Sequence, residues 1–237
     1  MLAPAFSLTV KHDKTDATDG DIRDFDNDTM IVALVGPSQQ RFSFHGAKLC
    51  GRLKWLDAFS YTHWAEGQPK QALQITLPEV DVELFRVYWE WVYSGTLSFR
   101  RCTPASDAKA KHAEYLLLVN LYKLGCSPQL YDVQLRNVAI LELSKSLNAC
   151  NTIPDQSLFA VVWSIAPRGE GLRTLLLDFM VAKGNRVTIG ERLTQYPSAF
   201  IHELALAALN KTPIVVWQSA TANGPRYLEP EEPEVNA

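Results

Sequence analysis

Cysteine is scarce in this chain and badly spaced for chemistry. There are four in 237 residues, at positions 50, 102, 126 and 150, and none forms a Cys-x-x-Cys pair. That argues against a zinc ribbon or finger. It points to free thiols in a reducing compartment rather than to disulfides. Basic character is also missing. Twenty-three Lys and Arg face twenty-six Asp and Glu, the net charge is −3, and the longest basic run is Arg100–Arg101. A nucleic-acid surface asks for a basic stripe, so no nucleic-acid partner is expected. No apolar run approaches the ~20 residues of a membrane span. The opening MLAPAFSLTVKHDKTD has too short an apolar stretch, on the wrong flanks, for a signal peptide. The expectation is a soluble intracellular chain, cytoplasmic and/or nuclear, without a membrane partner.

Catalytic and ligand signatures are equally thin. No G-x-x-x-x-G-K-[ST] loop and no G-x-S-x-G elbow occurs. Gly169-Glu170-Gly171 lacks the third glycine of a dinucleotide loop, and no strand precedes it. His202-Glu203 begins like a metalloprotease helix, but position 206 is leucine where a second histidine is needed. Asp24-Phe25-Asp26-Asn27-Asp28 begins like a calcium loop, yet Thr29 replaces the turn glycine and Val35 the bidentate glutamate. Cys50 with His45 suggests a nucleophile and base, against which stands the plain reading of a packed thiol. Tyr88, Trp89, Trp91 and Tyr93 carry ring faces that could stack bases. Their helical spacing and the lack of basic neighbours favour packing instead. No cofactor and no metal is expected.

The hydrophobic content, 47%, suits one globular domain with an extension, or two small domains. Residues 11–28 hold seven aspartates and almost no large apolar side chain, which reads as a loose acidic leader. Phe6, Leu8 and Val10 alternate before it as a short edge strand. Met30 to Val35 is a continuous apolar run stopped by Gly36-Pro37, hence a buried strand. Arg41 to Phe44 alternates, giving a second strand across a hairpin. From Gly46, Leu49, Leu53, Leu56 and Phe59 recur at helical spacing, with Trp55 widening the face. Tyr61 to Lys70 is a polar loop. Leu73, Ile75 and Leu77 alternate as a third strand. Asp81 opens a helix whose inward face is Leu84, Phe85, Tyr88, Trp91 and Val92, and Gly95 closes it. Ser98 to Lys111 reads as loop. Tyr115 to Leu124 reads as a buried helix ended by Gly125. Ser127 and Pro128 read as the cap and first residue of the next helix, with Leu130, Val133, Val138 and Leu141 inward. After a break at 148–154, helices are expected over Asp155–Ile165, Gly171–Ala182 and Ser198–Leu209, with Asp155 and Ser198 as N-caps. The last residues, rich in proline and glutamate, read as a flexible acidic tail.

The order and wording of residues 28–149 resemble the BTB/POZ domain in its divergent fungal style. Asp28 stands before the first strand and His45 at the end of the second. Ala47, Leu49 and Cys50 resemble the family's H-K-A-x-L-C opening. Trp64-Ala65-Glu66-Gly67 resembles F-x-E-G, and Leu77-Pro78-Glu79 with Asp81 resembles L-P-E-D-D-P. Trp91 to Leu97, WVYSGTL, resembles W-L-Y-T-G-x-L, and Leu117 to Gly125 resembles the family's L-x-x-L-Y helix. Gly46 departs from the usual Lys or Arg, and Arg52 to Leu56 lacks the family's serine and proline. The region after Pro154 resembles the helical extension of the fungal members.

The resemblance implies an α+β fold, a short three-stranded sheet capped by helices, with a C-terminal helical extension. The expected layout is a leader over 1–27, the BTB/POZ domain over 28–149, the extension over 150–212 and the tail over 213–237. It implies a non-enzymatic protein-interaction module, an adaptor or scaffold subunit. It also implies partners, a cullin or a second BTB chain. Leu49, Leu53, Trp55 and Leu56 fall where family members dimerise. Tyr61, Trp64 and Glu66 fall on the turn that touches a cullin in cullin-binding members. From the residues alone, Trp64 is either such an interface anchor or a lid folded over the helix of Leu53 and Leu56. Two further readings stand beside the module. One is a Skp-like or elongin-like ubiquitin-ligase adaptor. The other is a small enzyme whose site is assembled from distant residues.

Overall fold

Met30–Val35 (β1) is the centre of a three-stranded sheet in order β2-β1-β3. Gln40–His45 (β2) pairs with it antiparallel, and Leu73–Leu77 (β3) pairs parallel on the other side. Ile31, Val32, Ala33 and Val35 are all buried, so side chains on both faces of β1 are covered, which is why its sequence is apolar without alternation. The flanking strands do alternate. Phe42 lies opposite Ala33 and Phe44 opposite Ile31, while Leu73, Ile75 and Leu77 lie opposite Ile31, Ala33 and Val35. Register therefore gathers the large side chains of all three strands onto one face. The β1–β2 connection turns at Gly36, whose φ of 72° suits glycine. Its N–H donates to the Leu77 carbonyl at 3.0 Å, tying the turn to β3.

This computed structural model describes residues 30–49, 52–53, 73–184, 190, 193–209 and 226–229. After β2 comes a single helical turn, Gly46–Leu49 (α1). Val82–Ser94 (α2) follows β3. Asp81 caps it, its carboxylate accepting from the Leu84 N–H at 2.8 Å. Gly95 ends it in the left-handed region at φ 72°, its N–H donating to the Trp91 carbonyl. Phe85, Tyr88, Trp91 and Val92 are buried, and Leu84 only partly. The Phe85 ring meets Phe42 at 5.0 Å, Phe44 at 6.0 Å and Tyr88 at 5.4 Å between centroids.

Five longer helices complete the described residues: Ala108–Gly125 (α3), Val133–Cys150 (α4), Gln156–Ile165 (α5), Gly171–Lys183 (α6) and Ser198–Leu209 (α7). A 3-10 turn, Leu193–Gln195, precedes α7. The α+β class is as expected. The parallel pairing of β3 with β1 was not legible in β3 itself.

Several boundaries differ from the sequence expectation. Helix α3 starts at Ala108, inside the stretch expected to be loop. Asp107 caps it, accepting from Ala110 N–H at 2.6 Å. Its first turns bury Lys111 and Glu114, whose charges gave no apolar signal. Lys111 donates to the Pro104 carbonyl at 2.8 Å, and Glu114 accepts from the Cys102 N–H at 2.5 Å and from the Ser146 hydroxyl. Helix α4 starts at Val133, not at Ser127–Pro128. The Ser127 carbonyl instead closes a turn on Leu130 and Tyr131, and Tyr131 has a φ of 43° that no helix continues. Its inward stripe is Leu135, Ala139, Ile140, Leu143 and Leu147, while Val133, Val138 and Leu141 are only half-buried. The break after it begins at Asn151. Ser198 is the first residue of α7 rather than its cap, and the Pro197 carbonyl accepts from Ile201.

The described residues fall into two compact units. One holds the residues up to Phe99 together with Ser127–Asp132. The other holds Arg100–Cys126 and everything from Val133 on. In the second, α3 packs on α4 and α5, α6 packs on α4, α5 and α7, and α5 packs on α7. Phe159, Trp163, Tyr196 and Phe200 form an aromatic cluster there, Phe159 and Phe200 only 4.5 Å apart.

Candidate functional site

Of the residues that the resemblance marks for partner contact, Tyr61, Trp64 and Glu66 lie outside the described residues. So do Trp55, Leu56 and Cys50, the expected leader, and most of the tail. Leu49 and Leu53 are described, and they sit in the chain's own core at 1% and 0% exposure. The Leu53 N–H donates to the Leu49 carbonyl at 3.0 Å.

In the sheet unit, two sequence motifs far apart in the chain meet. His45, the exposed last residue of β2, gives its backbone N–H to the Tyr93 hydroxyl at 3.1 Å. Its Nδ1 lies 3.0 Å from the same oxygen. The hydroxyl has one proton and two lone pairs, so it can serve the backbone N–H and the ring nitrogen together. Tyr93 also stacks on Phe44, and the Trp89 indole donates to the Ser43 carbonyl at 3.0 Å. The end of α2 is thus pinned to the end of β2. His45 is committed to this contact rather than standing free as a base. Deeper in the unit, the Tyr88 hydroxyl donates to Asp132 at 3.3 Å. Burial, followed by the charge of Asp132, pushes this phenol well above its ordinary value. The Arg52 guanidinium lies 4.3 Å from the centre of the Trp91 ring, a cation–π distance.

Cys102 and Cys126 are poorly placed as nucleophiles. Burial pushes Cys126 up to about 11 against a weaker opposing pull from Arg136. Loss of hydration, then Glu114, raises Cys102. A thiol held protonated at neutral pH does not attack. Glu203, half of the His-Glu pair, accepts from Arg173 at 2.9 Å and from the Trp163 indole at 3.3 Å. Arg173 also donates to the Trp163 carbonyl at 2.8 Å. Glu203 is therefore a half-buried structural partner, while His202 next to it is exposed. Among the described residues no group of three or more His, Cys, Asp or Glu is placed to hold a metal ion. Nor is any helix among them long and apolar enough to cross a membrane.

One arrangement escaped the sequence reading altogether. Arg226–Glu229 falls in the stretch expected to be a flexible acidic tail, yet it is seated on α3, α4 and α6, with Tyr227 at 1% exposure. The Tyr227 hydroxyl donates to Asp178 at 2.9 Å, and Arg226 pairs with the same carboxylate at 3.1 Å. Glu229 pairs with Arg136 at 2.5 Å and accepts from the Tyr122 hydroxyl at 2.8 Å. Tyr122 also lies 2.5 Å from Glu170, and its single proton serves one of these carboxylates at a time. Burial, then these two carboxylates, pushes the Tyr122 phenol far above its ordinary value. Asn137 brackets the backbone of Glu229, donating to its carbonyl at 3.0 Å and accepting its N–H at 2.8 Å. The signal available in sequence was slight: Tyr227-Leu228 is an apolar pair among prolines and glutamates.

A scan against protein-family models finds no match to this chain, and a search of curated proteins finds none either.

Proposed function

We propose that the chain is a non-enzymatic protein-interaction module of the BTB/POZ kind, an adaptor or scaffold subunit with a helical extension. The observation that carries this reading is the meeting of His45 with Tyr93. Two stretches that resemble the family separately, the strand-end histidine and the W-V-Y-S-G helix end, come together as one packed corner. A sheet of order β2-β1-β3 capped by α2 supports the same reading. Among the described residues, the Cys102 and Cys126 thiols are pushed above their ordinary pKa and His45 is hydrogen-bonded to Tyr93, which supports an interaction module over a nucleophilic enzyme. With Leu49 and Leu53 inside the core, the reading gives them no part in a homodimer face. It assigns partner contact, a cullin or another protein, to Tyr61, Trp64 and Glu66.

The test is capture with the full chain as bait, alongside Trp64→Ala and the exposed control His202→Ala. An interface tryptophan is worth about 2 kcal/mol or more on truncation. Trp64→Ala should therefore lose the captured partner at least tenfold with an unchanged melting temperature, while His202→Ala keeps it. Recovery of the same proteins by all three baits overturns the assignment of this loop. A Trp64→Ala chain that unfolds makes Trp64 a packing residue instead.

A further inference from the structure

We propose that the surface formed by Tyr122, Arg136, Asn137, Gly171 and Asp178 is a peptide-recognition groove. Its ligand is a segment of the pattern basic–Tyr–x–acidic on a protein partner, and the chain's own Arg226–Glu229 occupies it as a built-in competitor. The inference is independent of the BTB/POZ reading and concerns the helical unit alone.

The contacts divide as they do in a site that reads a peptide. Asn137 reads main chain, bonding both the N–H and the carbonyl of one residue, so it accepts any side chain there. Gly171 lets the main chain come close. A Cβ at that position would lie 1.6 Å from the Tyr227 carbonyl oxygen, so no other residue is compatible with the seated segment. Sequence is then read at two ends of opposite charge. Asp178 takes the arginine and the tyrosine hydroxyl, and Arg136 with Tyr122 takes the carboxylate two residues on. The side chain between them, Leu228, is half-buried. This charge order fixes the direction of the segment and discriminates against its reverse.

The occupant is joined to the fold through a long connection. Sixteen residues separate Leu209, the end of α7, from Arg226. A ligand joined to its own site competes as though present at about millimolar concentration. The factor by which it shuts out a free peptide is that concentration divided by the segment's own Kd, so about a hundredfold for a segment that binds at about ten micromolar. Weakening the tethered copy uncovers the site.

The experiment uses the full chain and a fluorescent peptide of residues 224–231, Gly-Pro-Arg-Tyr-Leu-Glu-Pro-Glu. Fluorescence anisotropy is read on four proteins. These are the native chain, the double variant Tyr227→Ala/Glu229→Ala, and that variant carrying either Gly171→Ala or Arg136→Met. The double variant should bind the peptide about a hundredfold more tightly than the native chain. Gly171→Ala or Arg136→Met in that background should abolish binding, and a peptide with its tyrosine replaced by alanine should not bind. Glu229→Gln alone is the milder opening, with a smaller gain of the same sign. The proposal is overturned if the double variant keeps its helix content and melting transition but ignores the peptide, or if native and double variant bind equally. It is overturned as well if neither opened variant folds, since the segment is then part of the core rather than a ligand. A concentrated native chain that dimerises, with Gly171→Ala preventing it and free peptide never binding, identifies a second copy as the occupant and removes the partner reading.

Discussion

Phe85→Ala tests the sheet unit at its centre. The ring is fully buried and has three aromatic neighbours, Phe42, Phe44 and Tyr88, within about 6 Å. Phe→Ala in a core costs about 3–5 kcal/mol. Edge-on ring pairs add about 0.5–1.5 kcal/mol each beyond their area, which places this site toward the upper end. A domain of ordinary stability has about 5–15 kcal/mol in all, so the variant should be folded but close to its limit. With a urea slope of about 2 kcal/mol/M, the midpoint should fall by about 2 M. Tryptophan fluorescence follows the transition, with Trp89 and Trp91 on this helix among the chain's six tryptophans. Arg86 is the control. It is half-exposed and, among the described residues, pairs with the exposed Glu83, so Arg86→Ala should stay within about 0.5 kcal/mol of the native chain. Equal midpoints for Phe85→Ala and Arg86→Ala would refute the packing of α2 against the sheet.

Two further outcomes follow from local geometry. Gly36 and Gly95 share a φ of 72°, but a Cβ at Gly95 meets nothing while one at Gly36 lies 2.9 Å from Val82 Cγ2. Gly95→Ala should cost about 1–2 kcal/mol of backbone strain, Gly36→Ala measurably more, and thermal melts of the two that coincide count against the β1–β2 turn. Burial alone would raise the Glu142 carboxyl, but Lys145 and Arg101 outweigh it and hold the group below its ordinary value. A depressed carboxylate stabilises the fold above its unfolded pKa of about 4.3 and loses that contribution as pH falls through its folded pKa. The native chain should therefore lose stability more steeply below pH ~4.5 than Glu142→Gln does, and parallel acid limbs in the two would show the ion pairs to be idle.

What the sequence disclosed was whatever its apolar residues could spell. The three strands and α2 follow from Ile31, Phe42, Phe44, Ile75, Phe85 and Trp91, with Asp81 and Gly95 as punctuation, because there burial and hydrophobicity coincide. Helix α3 began seven residues early for the opposite reason. Lys111 and Glu114 are buried, and their partners Cys102, Pro104, Thr152 and Ser146 make that tolerable. The face of α4 was misjudged in the same way, since Arg136, Asn137, Glu142, Ser144 and Ser146 share its interior. The groove under Arg226–Glu229 combines both difficulties: polar readers, and a ligand more than ninety positions away from Asn137.

The path of the chain between the two units bears on how the protein is made. Residues up to Phe99 complete only part of the sheet unit, because Ser127–Asp132 belong to it as well. They supply buried Leu130 and the carboxylate that accepts the Tyr88 hydroxyl's hydrogen bond. A ribosome that has released residue 99 has therefore not yet delivered the sheet's last components. All of α3, part of the other unit, must be synthesised first. The nascent sheet waits with the Tyr88 hydroxyl lacking Asp132, and a fragment cut at Phe99 inherits that defect permanently. Folding of the first unit is thus bound to synthesis of the second, and no single cut in the chain separates the two whole.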